Sequence, residues 1–162
     1  MRKTYSGLVY AADQMFLEKG SQTHGLNGIR VEYKDIAARI TSDLDIGDPS
    51  REDAVRRIRD AVWDTGAVTS MIAERTAREM GLQPIDNGII VTATDQTEVP
   101  IYMVDVYMTK NLVIRNLKVF GSPMRNREIE FVIGMDIISR GKMIIDSMEG
   151  KTRFSFSIKE KD

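Results

Sequence analysis

Ala61-Val62-Trp63-Asp64-Thr65-Gly66-Ala67 sets a carboxylate directly behind an apolar triplet and in front of a turn. A carboxylate at the end of a buried strand is costly to ionise without stabilisation. The residues that follow supply a means. A tight turn at Thr65-Gly66 lets the Gly66 amide point back at Asp64, and glycine alone permits so close an approach of the backbone. An Asx-type turn that merely ends the strand has the same local sequence, so these residues by themselves leave both readings open. Most other acidic residues sit in polar stretches or on mixed faces, where a solvated surface is the ordinary expectation.

The rest of the composition narrows the chemistry available. The chain has 162 residues, 42% of them hydrophobic, which suits a single domain with a real core. Lys and Arg number 23 against 24 Asp and Glu, a formal net charge of −1. That balance gives no support to a nucleic-acid or anionic-membrane partner, since neutralising phosphates needs a basic excess or a clustered basic face. Cysteine is absent, which removes disulfides, thiolate nucleophiles and Cys-based zinc sites. The single histidine, His24, leaves multi-His metal arrangements out of reach within one subunit, and without cysteine a Cys-His pair is excluded too. No apolar run approaches the roughly 20 residues of a membrane helix, and the charges within residues 1–19 argue against a signal peptide. The expectation is a soluble, cytoplasmic protein whose chemistry rests on carboxylates or hydroxyls.

Working outward from Asp64, the pattern is mostly that of strands. Leu8, Ala11, Ala12, Met15 and Phe16 form a helical stripe, while Gly7 and Val9-Tyr10 fit an extended start equally well. Gly20, Gly25 and Gly28 mark a turn-rich stretch around His24. Residues 36–41 read as a short extended run, residues 43–53 as a polar loop, and residues 54–63 as a strand. After Asp64 the period changes. Ser70 as N-cap, Glu74 in the first turn, Ile72, Thr76 and Met80 on one face, and Gly81 at the left-handed exit predict a helix of about three turns. Residues 89–94 and 98–108 flank the polar tetrad Thr94-Asp95-Gln96-Thr97, a hairpin, and residues 112–120 form the next strand. Phe131-Val132-Ile133 is a short strand of the kind buried on both faces. A brief helical turn from Gly134 to Arg140 precedes two last strands, residues 142–146 and 151–158.

Val62-Trp63-Asp64-Thr65-Gly66-Ala67 resembles the Asp-Thr-Gly-Ala signature of the retropepsin-like aspartic proteases, the single-lobe dimeric relatives of pepsin. A second element, Val132-Ile133-Gly134-Met135-Asp136-Ile137-Ile138, resembles the family's hydrophobic-hydrophobic-Gly strand and short helix, in the Gly-Met-Asp form of bacterial and cellular members. The spacing from Asp64 to Gly134 leaves room for a helix, a flap hairpin and a return strand in the family's order. The resemblance runs from about Asp35 to Ile158. It implies a mostly β fold, a retropepsin-like acid-protease lobe closed as a barrel, with one clear α-helix and one short one. The expected division is residues 1–34 as an N-terminal extension or extra edge element, 35–158 as the protease domain, and 159–162 as a charged tail.

The function implied is that of an aspartic endopeptidase, with two carboxylates holding one water and sharing one proton. One chain carries a single Asp-Thr-Gly, because Asp45-Ile46-Gly47 and Asp146-Ser147-Met148 both fail the pattern. The resemblance therefore implies a symmetric homodimer in which Asp64 of each subunit meets at the two-fold axis. Thr65, Gly66 and Ala67 would support the loop, with the Thr65 hydroxyl reaching the partner's backbone. Thr94, Asp95, Gln96 and Thr97 would form the flap over an extended peptide or protein substrate, although this tip lacks the glycines of retroviral flaps. Ile133 and Gly134 would pack behind the site. No cofactor, metal, nucleic acid or membrane is implied, and the dyad suggests an acidic to near-neutral optimum. The alternative is a catalytically inactive peptide-binding or dimerisation module of the same fold. Trp63 points away from Asp64 by strand alternation and reads as core. His24 reads as a loop histidine, and Arg51, Arg56, Arg57 and Arg59, interleaved with Glu52, Asp53 and Asp60, as a solvated face. The ten methionines read as core filler.

Overall fold

The computed structural model describes residues 3–5, 8–10, 19–25 and 27–158. The strands in chain order are β1 (Lys3–Tyr5), β2 (Leu8–Tyr10), β3 (Lys19–His24), β4 (Gly28–Tyr33), β5 (Thr41–Asp48), β6 (Arg51–Trp63) and β7 (Met71–Ala73). Helix α1 (Glu74–Glu79) follows. Next come β8 (Asp86–Val91), β9 (Gln96–Tyr107), β10 (Val113–Ser122) and β11 (Phe131–Ile133), then helix α2 (Met135–Ile138), β12 (Gly141–Asp146) and β13 (Arg153–Ile158). The protein is mostly β with two short helices, as the sequence implies. Among the described residues, no helix is long and apolar enough to cross a membrane. Leu8–Tyr10 is extended and pairs with Lys3–Tyr5. The remaining positions of the N-terminal apolar stripe, and the 159–162 tail, lie outside the described residues.

The main sheet runs β10-β7-β11-β6-β5-β9-β8, and β10 pairs with β9 as well, so that the pairings return on themselves. A second sheet, β12-β13-β4-β3, packs its inner face against it. Ile29, Val31 and Tyr33 of β4 and Phe154 and Phe156 of β13 share one core with Trp63, Leu44, Ile46, Val104 and Phe131. Trp63 lies between Phe154 and Phe156 at ring separations of 4.9 and 4.8 Å, tilted in both cases. Its indole N–H donates to the Ser42 hydroxyl at 2.9 Å. Its placement in the core, away from Asp64, is the one alternation predicts. The Tyr33 hydroxyl stitches the two sheets, donating to the Thr41 carbonyl (2.8 Å) and accepting the Thr41 amide (2.7 Å).

Four local expectations are corrected. Residues 43–48 are not loop but most of β5: Leu44 and Ile46 face the core while Asp43, Asp45 and Asp48 face outward, an alternation masked by the acids. Residues 36–40 are irregular, because here the chain crosses between the sheets and the strand begins only at Thr41. His24 ends strand β3, and the turn lies beyond it, closed by the Gly25 amide on the Gly28 carbonyl at 2.8 Å. The predicted three-turn helix shrinks to six residues. Ser70 is not its N-cap, and Met71–Ala73 are a strand, claimed by parallel pairing with β10 and antiparallel pairing with β11. The helix does end at Gly81, with φ of +69°.

At the β5–β6 turn, Asp48 accepts the Ser50 amide and hydroxyl and pairs with Arg51. Burial pulls its carboxyl upward, but the Ser50 and Arg51 contacts outweigh that and hold it below the usual range. A lowered folded-state pKa stabilises the protein above the ordinary carboxylate range, and this share is lost as pH falls through the lowered value. Asp48→Asn should therefore destabilise at neutral pH and converge with wild type in strong acid, as followed by urea midpoints. Phe156→Ala, opening a cavity against the only tryptophan, should cost about 3–5 kcal/mol. Trp63 fluorescence during urea unfolding reads that loss directly.

Candidate active site

Asp64 is placed by a strand that bends just before reaching it. Ser42 pairs with Ala61 but Leu44 with Ile58, so β6 carries an extra residue. That bulge sits at Asp60, whose φ is +56°. The Asp60 amide donates to the Asp43 carboxylate (3.1 Å), and the Asp60 carboxylate accepts the Thr41 hydroxyl (3.1 Å). Beyond the bulge, Ala61, Val62 and Trp63 are all buried. β11 runs parallel beside them, Val132 opposite Val62 and Ile133 opposite Trp63. The ladder extends one step further, since the Asp64 amide donates to the Ile133 carbonyl at 2.9 Å.

The Asp64 side chain is 6% exposed. Its Oδ1 accepts the Gly66 amide at 2.8 Å, the turn anticipated from the sequence. Its Oδ2 is inaccessible and has no hydrogen-bond partner among the described residues. Thr65 and Gly66 are exposed and Ala67 is buried. The Ala67 amide closes the turn on the Asp64 carbonyl at 3.2 Å.

Behind the loop stands a network that the sequence reading missed. The Asp136 carboxylate accepts the Ser70 amide (2.9 Å), the Ser70 hydroxyl (2.7 Å) and its own helix's Ile137 amide (3.0 Å). The Ser70 hydroxyl in turn accepts the Gly134 amide at 3.0 Å. Amides of α2 also meet this loop, Met135 on the Ala67 carbonyl (2.8 Å) and Asp136 on the Val68 carbonyl (3.1 Å). Gly134 is where the two segments touch. A Cβ there would lie 2.8 Å from the Ala67 oxygen and from the Thr69 carbonyl carbon. Ile133 and Gly134 thus pack behind the Asp64 loop as expected. Neither residue carried a local signal of the other, since Ser70 and Asp136 are 66 residues apart in sequence.

The hairpin β8–β9 reaches the loop through Ile90, which packs on a small apolar cluster of Val62, Ala67, Met71, Ile129 and Val132. Its turn is tight: the Thr92 amide donates to the Asp95 carbonyl (2.9 Å) and the Thr92 hydroxyl accepts the Asp95 amide (3.0 Å). Thr94, Asp95, Gln96 and Thr97 are all exposed, and Gln96 and Thr97 already belong to β9. Ile89 and Val91 are exposed on the other face of β8, at 55% and 70%. His24 is exposed beside Gln22. Three of the four hairpin arginines are ion-paired: Arg51 to Asp48, Arg56 to Glu79 and Glu130, Arg57 to Asp43 and Asp45. Among the described residues, no cluster of His, Cys, Asp or Glu is placed to hold a metal ion.

A family model described as gag-polyprotein putative aspartyl protease matches residues 56–140, just over half of the chain, from β6 through α2. The chain belongs to that family. No curated protein matches it. The crystal structure of a retropepsin-like aspartic protease from Rickettsia conorii is similar at 14% sequence identity, covering 75% of this chain and 96% of that one, with a TM-score of 0.43. The aspartyl-protease match encloses both the Asp64 loop and the Gly134 strand, the two segments joined here by β6–β11 pairing.

Ser70→Ala should leave the Gly134 amide unpaired and remove one of the three hydrogen bonds to the Asp136 carboxylate, costing about 1–3 kcal/mol. Gly134→Ala should be worse, because the added methyl meets backbone on both sides. Chemical denaturation of the two variants beside wild type tests that order.

Proposed function

We propose that the chain is an aspartic endopeptidase that works as a homodimer, with Asp64 of each subunit forming the catalytic pair. The observation that carries this reading is the asymmetry of the Asp64 carboxylate. One oxygen is tied to Gly66, and the other is buried with no partner among the described residues. A buried polar atom left in that state costs free energy unless a partner arrives. A second Asp64 across a two-fold axis, with a water between the two, meets that need, and the single Asp-Thr-Gly per chain makes the second copy necessary. Thr65 supports the same geometry: it is exposed, and its hydroxyl makes no hydrogen bond among the described residues, so it is free to reach the partner's loop.

The reaction then follows from one proton shared by two carboxylates. The ionised member takes a proton from the water as its oxygen attacks the scissile carbonyl carbon. The protonated member gives its proton to the carbonyl oxygen, forming a neutral tetrahedral diol. Collapse of the diol breaks the C–N bond, with a proton passing to the leaving nitrogen and another returning to the pair. The Gly66 amide holds Oδ1 in place throughout, and the β8–β9 hairpin closes on an extended substrate and excludes water. The hairpin's exposed Ile89 and Val91 support this role, since a closing element offers apolar surface to what it covers.

The test is a digest of a diverse peptide library between about pH 4 and pH 7, read by mass spectrometry, with sedimentation of the same samples. Asp64→Asn should lower cleavage by a factor of at least about 10³ while dimer and fold persist. Equal cleavage by both proteins would refute Asp64 as the catalytic group. Silence from both, with dimers present, would favour a binding module.

A further inference from the structure

Helix α1 and the segment after β10 leave the main sheet side by side, because β7 and β10 run parallel with Ala73 opposite Ser122. Between them opens a cleft of about 320 Å³, lined by Glu74, Arg75, Arg78, Met124, Arg125 and Arg127 among others. Four guanidinium groups face a single carboxylate. In a chain whose net charge is −1, that is a local concentration and not a reflection of composition.

The arginines divide the work. Arg75 is committed to the backbone, donating to the carbonyls of Arg127 (2.6 Å), Ile129 (2.7 Å) and Met124 (3.4 Å). It thereby fixes the segment on which Arg125 and Arg127 stand. Arg78 and Arg127 are exposed, and neither has a carboxylate within ion-pair distance among the described residues. The nearby acids Glu79 and Glu130 are held by Arg56 instead. Two planar, permanently charged forks therefore border the cleft from separate elements, a chemistry suited to a carboxylate.

The cleft is tied to the Asp64 loop through one side chain. Met124 lines it and packs on the cluster that contains Ala67, Val62 and Ile90. We propose that this cleft is an outer subsite that receives an Asp or Glu side chain of the substrate. The proposal rests on the proteolytic reading above. The occupant is a peptide side chain and not a free anion, because the uncommitted arginines are exposed and stand apart. Such groups hold a carboxylate that is already anchored through its chain, whereas a small ion needs converging buried donors.

Two measurements separate this idea from the catalytic one. The first is fluorescence anisotropy of labelled hexaglutamate on the Asp64→Asn protein, with labelled hexaglutamine as control. Hexaglutamate should bind alone, weaken about tenfold in the R78Q/R127Q double variant, and weaken as salt rises from about 50 to about 500 mM. The second is the peptide-library digest, where wild type should enrich Asp and Glu at an outer position. The charge-reversed R78E/R127E variant should shift that position toward Lys and Arg, an inversion that a merely structural role would not produce. Hexaglutamate binding without any cleavage would uphold the cleft and sink the protease reading. Cleavage with no acidic enrichment and no hexaglutamate binding would overturn the cleft, as would displacement of the labelled hexaglutamate by inorganic phosphate at lower concentration than by unlabelled hexaglutamate.

Discussion

A strand of three residues, paired parallel on one side and antiparallel on the other, organises the centre of this protein. β11 is only Phe131–Ile133, yet it lies between β6 and β7 and is buried along its whole length. Its last carbonyl holds the Asp64 amide, and its next residue, Gly134, lies against the backbone that follows Ala67. A strand inserted in this way satisfies its own amides on both sides and leaves no polar backbone beneath the acidic loop. The backbone that carries Asp64 is therefore anchored to the most deeply buried part of the core.

Two carboxylates near that strand show opposite fates. Asp136 is saturated: it accepts two bonds from Ser70 and one from Ile137. Asp64 is satisfied at one oxygen only. The same physics explains both. A carboxylate supplied with amide and hydroxyl donors becomes a structural fastener, while one left with an unmatched oxygen in a buried place holds free energy that chemistry or association can draw on.

The Asp64 turn and the Gly134 contact were legible because each needs a residue type that nothing else replaces there. Gly66 lets its amide face the carboxylate, and Gly134 leaves room for a neighbouring backbone. Trp63 was legible from simple alternation. The segment Ser70–Ala73 was misread because Ser70, Glu74 and Gly81 carry genuine helix-boundary chemistry, and only pairing with β10 and β11, some 50 to 60 residues away in sequence by register, decides against helix for its first part. β5 was hidden for a different reason: its outward face is acidic, so composition suggested a loop where the two-residue period of Leu44 and Ile46 indicated a strand. Ser70–Asp136 was invisible because hydrogen bonds between distant segments leave no local pattern.

The second sheet has a consequence for how the chain is made. Gly28 of β4 pairs with Ser157 of β13, and Ile29 with Phe156. On the ribosome β13 follows β4 by more than a hundred residues, roughly 6 to 25 s at ordinary elongation rates. Throughout that interval Ile29 and Val31 have no β13 to cover them, and the core around Trp63 lacks its two phenylalanines. The nascent chain is thus at its most chaperone-dependent just before β13 emerges, and that strand acts as the latch that ends the exposure.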